Sequence, residues 1–178
     1  MGHPHDNETV GPMSDKSTQC AVQTQRGRKF LVVVDKSPEH KKALRYAARR
    51  AQHTGGHTSL LIVVSPADFQ HWRSVEDAMR EEAMSEAERL LYEAASHVHE
   101  LSGLYSEVLV REGKSRDVLL ALLKEDPDIM VLVLAAGTGR EGPGPLVSYA
   151  AQQAQLAYPI PVTIVPGGLS DEMIDALA

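Results

Sequence analysis

A chain of 178 residues is long enough to bury one substantial core, about 70% of the surface its unfolded form exposes. The net charge of −6 excludes nucleic acid as a general partner, and an aromatic content of 4% leaves few platforms on which single-stranded bases stack. The lone cysteine, Cys20, excludes an intrachain disulfide framework, and no stretch approaches the ~20 apolar residues of a membrane span.

Residues 1–27 are polar and aperiodic, which predicts a disordered N-terminal tail. His3 and His5 read as incidental rather than as a metal tract, and Cys20 as an inert exposed thiol. This end lacks the apolar core of a secretory signal and the chain has one thiol, which together predict a cytoplasmic protein.

From Lys29 the pattern is regular. Residues 30–34 (FLVVV) predict a short buried strand, and Asp35-Lys36-Ser37-Pro38-Glu39 a turn in which Ser37 caps a helix with Pro38 in its first turn. That helix reaches His53, with Ala43, Leu44, Ala47, Ala48 and Ala51 on one face, and Gly55-Gly56 ends it. Residues 60–64 (LLIVV) predict a second strand. A long helix follows over 74–101, its apolar stripe running through Met79, Ala83, Ala87, Leu90, Ala94, Val98 and Leu101. His71 and Trp72, just before it, read as a hydrophobic contact at its start. A third strand over 105–110 and a short helix over 115–124 come next.

Residues 128–134 (DIMVLVL) show no polar alternation, as expected of a strand covered on both faces of a parallel sheet. A glycine- and proline-rich loop follows over 135–148 (AAGTGREGPGPLVS). A helix over 146–157 and a strand over 161–165 (PVTIV) complete the series, and 170–178 reads as a capped turn of amphipathic helix. Strands alternating with helices predict an α/β fold with a parallel sheet and right-handed crossovers. The domain is expected over 28–168, with 169–178 as a short C-terminal addition.

Four segments in this order, KFLVVVDKSPEHKKALRYAARRA, LLIVV, REGKSRDVLLALLKEDPDIMVLVLAAG and YPIPVTIVPG, resemble the universal stress proteins. The resemblance implies a three-layer sandwich of the adenine-nucleotide-hydrolase-like type, with five parallel strands in the order 3-2-1-4-5. It also implies a stress-linked cytoplasmic protein that binds ATP or another adenine nucleotide, with Mg²⁺ where the nucleotide needs it. A homodimer through residues 161–165 is implied too. Other members of the family lack the nucleotide motif, and the alternative reading is a nucleotide-free dimeric interaction module. No nucleic acid, membrane or resident metal is expected, and no catalytic residue; the sequence does not identify a protein partner.

The implied strand order puts a switch point between the first and fourth strands, where ligands of open α/β sheets bind. Asp35 matches the family's aspartate near adenine and ribose; on its residue type alone it equally suits bracing its own turn. Val63 matches a backbone position that reads the adenine edge. The family's G-x-x-G-(nine residues)-G-[S/T] motif falls on Ala135, Thr138, Ser148 and Tyr149, none of them the expected residue, although Gly137 and Gly139 flank Thr138. Glycine there lets backbone approach phosphate, and Pro143 and Pro145 each remove an N–H. The helix start near Leu146 compensates with the N–H groups of Val147 and Ser148 and the Ser148 hydroxyl, while Lys36 or Arg140 supplies positive charge. The candidate set is therefore Asp35, Lys36, Val63, Ala135, Gly137, Thr138, Gly139 and Ser148. Gly113-Lys114-Ser115 lacks the upstream glycine of a P-loop, since that position is Val108, and no G-x-S-x-G elbow occurs.

Overall fold

The computed structural model describes residues 28–65, 76–152 and 158–178. The predicted tail with His3, His5 and Cys20, the His71-Trp72 contact and the end of the 146–157 helix lie outside the described residues. In chain order the elements are β1 (Lys29–Val33), α1 (His40–Thr54), β2 (His57–Val64), α2 (Glu76–Ser102), β3 (Glu107–Glu112), α3 (Ser115–Glu125), β4 (Ile129–Ala136), α4 (Pro145–Gln152), β5 (Val162–Pro166) and α5 (Asp171–Leu177). The five strands form one parallel sheet in the order β3-β2-β1-β4-β5.

The apolar runs are continuous because both faces are covered. Along β1, Phe30, Val32 and Val34 enter a core shared with α1, α2 and α5, while Leu31 enters a second core shared with α3 and α4. The same alternation sends Leu60 and Ile62 of β2 one way and Leu61 the other. This is the period-2 geometry of a strand, applied to a sheet with helices on both sides.

The boundaries differ from the sequence reading for physical reasons. β2 begins at His57 because its ladder starts opposite Lys29, and it carries the buried Thr58 and Ser59 into the sheet. The Thr58 hydroxyl is paired with that of Ser106 at 2.6 Å. β3 begins at Glu107, so Tyr105 precedes the strand; it is exposed and stacks on His99 with ring centroids 4.6 Å apart. α2 is about 40 Å long at 1.5 Å per residue, longer than the strands it covers (about 26 Å for β2). Its first turns are therefore solvated and Met79 is exposed, while Ala87, Leu91, Ala94 and Val98 carry the buried stripe. Leu91 takes the core position expected of Leu90.

The C-terminal residues form a docked helix. Ser170 caps α5 by accepting a hydrogen bond from the Met173 N–H at 3.3 Å, and Ile174 is fully buried in the α1/α2 core. Asp171 pairs with Lys42 at 2.8 Å, and Asp175 with Arg45 at 2.6 Å and with Arg49 at 3.2 Å.

At the opposite end of the sheet from the crevice described below, Lys29 Nζ pairs with Asp126 and, at 2.9 Å, with Glu107. Burial alone would raise the Asp126 pKa, but hydrogen bonds from Lys29 and from the Asp128 N–H outweigh it and hold the carboxyl below its ordinary range. A depressed folded pKa contributes stability above the unfolded value and loses it as pH falls through the folded one. Asp126→Asn should therefore cost about 2 kcal/mol at neutral pH, between the values for exposed and buried pairs. The gap from the unchanged protein should narrow as pH drops below the ordinary carboxylate range, as read by urea unfolding at several pH values; a pH-independent gap would contradict the pairing.

Candidate functional site

β1 is shorter than its neighbours, and this makes the site. It ends at Val33, whereas β2 continues to Val64 and β4 to Ala136. The last rung between β1 and β2 is the Val34 N–H donating to the Leu61 carbonyl at 2.8 Å. On the other side of β2 the Val64 carbonyl accepts from the Gly113 N–H at 3.0 Å. By strand alternation, Val63 turns its N–H and C=O toward the β1 side, where β1 has already left, and neither group has a partner among the described residues. An edge of one donor and one acceptor is thus open at the notch.

The notch opens into a crevice of about 800 Å³, within the roughly 300–1,000 Å³ of small-molecule sites. Its walls are the end of β1 and the turn after it, Val63 on β2, Ser115 at the start of α3, and β4 with the loop to α4. Asp35, Val63, Ala135, Gly137 and Gly139 line it as the sequence suggested, and so does Arg140. Thr138 and Ser148 are not among its lining residues. Lys36 lies on the other side of β1's end, in a smaller cavity of about 230 Å³ with Glu86 and Leu90 of α2.

The turn after β1 is built differently from a side-chain-capped helix start. Asp35 Oδ1 accepts from both the Ser37 N–H, at 2.9 Å, and the Ser37 hydroxyl, an Asx turn closed on itself. Ser37 therefore does not cap α1 with its side chain; its carbonyl accepts from the His40 N–H at 3.4 Å, and the helix begins at His40 after Glu39. Asp35 thus braces its own turn, and its Oδ2 has no partner among the described residues.

The loop after β4 is also different. Ala135 and Ala136 are strand residues, paired with Val165 and Pro166 of β5, so the loop starts at Gly137. It folds back on itself: the Gly137 N–H donates to the Pro143 carbonyl at 3.4 Å, and the Gly142 N–H to the Gly139 carbonyl at 3.2 Å. The N–H and hydroxyl of Thr138, the loop's second residue, both donate to Glu39 Oε1, at 3.2 and 3.0 Å. Those bonds hold the Glu39 carboxyl below its ordinary range. The Ser148 N–H is internal to α4, donating to the Gly144 carbonyl at 2.9 Å. The N–H groups of Leu146 and Val147, one position earlier than expected, have no partner among the described residues.

Sequence reading missed Glu39, Glu141 and Ser115 as crevice residues. The signal for Glu39 was present: Ser-Pro-Glu sets an acid at the last position before the helix, at the crevice end of the sheet. Among the described residues no cluster of histidine, cysteine, aspartate and glutamate is placed to hold a metal ion, and no helix is long and apolar enough to cross a membrane.

A comparison with curated protein sequences finds no match. Solved structures show the same fold. The universal stress protein UspA from Lactobacillus plantarum is 21% identical, superposes with a TM-score of 0.65, and is matched over 77% of this chain and 96% of its own. The universal stress protein from Archaeoglobus fulgidus in complex with dAMP is 22% identical, with a TM-score of 0.55 over 77% and 96%. A family protein from Arabidopsis thaliana with AMP bound is 19% identical, with a TM-score of 0.53 over 81% and 94%. A sequence model of the universal stress protein family matches residues 27–166. With that match spanning most of its length, the chain belongs to the universal stress protein family.

Proposed function

We propose that this protein binds an adenine nucleoside or nucleotide in the crevice at the end of β1, and that it acts through binding rather than turnover. The observation that carries the reading is the open backbone edge of Val63 beside a crevice of about 800 Å³. An unpaired N–H and C=O on one strand edge match the donor–acceptor edge of adenine. Val33, Val63 and Leu134 would flank the base, and Asp35 Oδ2 would accept from sugar hydroxyls. The dAMP and AMP carried by the two relatives support the ligand class. Among the described residues, the crevice carboxylates Asp35 and Glu39 are tied to Ser37 and Thr138 rather than set as a base beside a nucleophile.

The test is isothermal calorimetry with adenosine, AMP and ATP, alongside mass spectrometry of small molecules released from natively purified protein. Asp35→Ala should weaken binding about tenfold, the loss of one charged hydrogen bond. Asp35→Asn keeps an acceptor for the Ser37 turn and should weaken it less. Absence of heat with all three ligands at millimolar concentration would overturn the reading.

A second reading has its own support. β5 is an edge strand with Ile164 partly exposed, and Met130 on neighbouring β4 is half exposed. That apolar margin fits pairing of two copies through β5. Sedimentation showing monomer at every concentration would defeat it.

A further inference from the structure

Resting on the adenine-site reading above, we propose that Glu39 is a specificity-determining residue that makes the crevice prefer adenosine itself over its phosphorylated forms. Glu39 lines the crevice, and its carboxylate turns to the loop after β4. It accepts from the Thr138 N–H and the Thr138 hydroxyl through one oxygen, so both donors of Thr138 already serve an anion built into the chain.

Its seat is specific. Gly167 follows β5, and a Cβ there would lie 2.3 Å from Glu39 Cγ and 2.9 Å from the Ala136 carbonyl oxygen. The missing side chain is the channel along which Glu39 reaches across from the β1 turn to the β4 loop. The Gly167 N–H donates to that Ala136 carbonyl at 2.9 Å, which fixes the channel to the sheet.

The Gly137 N–H is spent on Pro143, and the Pro143 and Pro145 nitrogens carry no hydrogen. Several loop donors remain, the Leu146 and Val147 N–H groups at the start of α4 among them, so the preference rests on Glu39 and the charge around it. Asp35, Glu39 and Glu141 line the crevice against Arg140. A triphosphate without a divalent cation would bring further negative charge to a lining whose described residues carry an acidic excess, a repulsion strongest at low ionic strength. A nucleoside brings none, and its base and sugar use the Val63 edge and Asp35.

The experiment is calorimetry on the full chain in cation-free buffer with adenosine, AMP and ATP. Affinity should fall in that order, with ATP at least tenfold weaker than adenosine. Glu39→Ala, which removes a carboxylate from the crevice lining, should cut the ATP-to-adenosine ratio of dissociation constants at least tenfold, and Glu39→Lys should invert it. Thermal unfolding of each variant checks folding, and Glu39→Gln, which keeps shape and acceptor but removes charge, should shift the ratio in the same direction by less. ATP binding more tightly than adenosine to the unchanged protein, or a ratio that Glu39→Ala and Glu39→Lys both leave alone, overturns the role of Glu39 while the adenine site stands. No binding of any of the three ligands overturns both.

Discussion

Leu132→Ala should lower the free energy of unfolding by about 2–5 kcal/mol. Leu132 is completely buried on β4, in the core that also holds Leu31, Leu61, Leu119 and Ile129. Its backbone is pinned on both sides, level with Leu31 of β1 and Val162 of β5, so the sheet cannot close over the vacated volume. The loss thus includes both the transfer free energy of the side chain and a residual cavity, a large fraction of the roughly 5–15 kcal/mol that holds a typical domain folded. Met130 is the internal control: it sits two residues earlier on the same strand and is 51% exposed. Met130→Ala should cost less than about 1 kcal/mol. Urea titration should show a lower midpoint for Leu132→Ala with an unchanged slope; equal costs for the two variants would contradict the placement of the core.

Gly56→Ala should be the more damaging of the two substitutions in the Gly55-Gly56 pair, by about 2–3 kcal/mol. Gly55 has the left-handed backbone, with φ of 64°, yet a Cβ there would meet nothing within 4 Å. Alanine at Gly55 costs only the conformational strain, about 1 kcal/mol. Gly56 has no such dihedral, but its Cβ would lie 2.4 Å from the Arg28 carbonyl oxygen and 3.0 Å from Phe30 Cε2. The first obstacle is backbone and cannot rotate away. The same carbonyl accepts from the His57 N–H at 3.1 Å beside the first rung of the β1–β2 ladder, and the Gly56 N–H closes α1 on the Ala51 carbonyl at 2.8 Å. Relief of the clash therefore means parting either the helix end or the start of the sheet. Thermal unfolding of the two alanine variants checks the order, and a greater loss at Gly55 would refute it.

The Gly55-Gly56 pair also shows how far the sequence was readable. Two glycines after an alanine-rich helical face marked the end of α1, because left-handed caps favour glycine. Which of them touches β1 depends on a strand partner that no local pattern names. Strands β1 and β4 were legible because apolar runs with no polar alternation have few homes other than a doubly covered sheet. β2 was read three residues short because Thr58 and Ser59 look like loop residues until one sees them buried beside β1 and β3. The strand order came from the family resemblance, and the sheet shows it.

The candidate site divided along the same line. Asp35 and Val63 were placed correctly at the crevice, since position at a strand's carboxyl end is a topological property. Ala135 proved to be a strand residue because β5 pairs with it, an interaction from a segment thirty residues on in the chain. Glu39's place at the crevice end was signalled by Ser-Pro-Glu, but its pairing with Thr138, which is 99 residues away, was not. Contacts of that kind are set by the closed fold and leave no local periodicity.

The short central strand has a kinetic consequence as well. β1, α1, β2, α2 and β3 form from one contiguous stretch, whereas β4 meets β1 only when the chain closes a long loop, as the 97-residue separation of Lys29 and Asp126 shows. Closure entropy grows slowly, by about 0.6 kcal/mol per doubling of loop length, but such distant pairings are what slow a refolding chain. The notch lies on that seam, with the β1 turn and Val63 on one bank and the β4 loop on the other. The Val63 edge belongs to the first half, and the facing wall of the crevice comes with β4 and its loop. A molecule held at Val63 and Asp35 would therefore be enclosed only after the slow β1–β4 pairing, so its tight retention would mark a completed sheet.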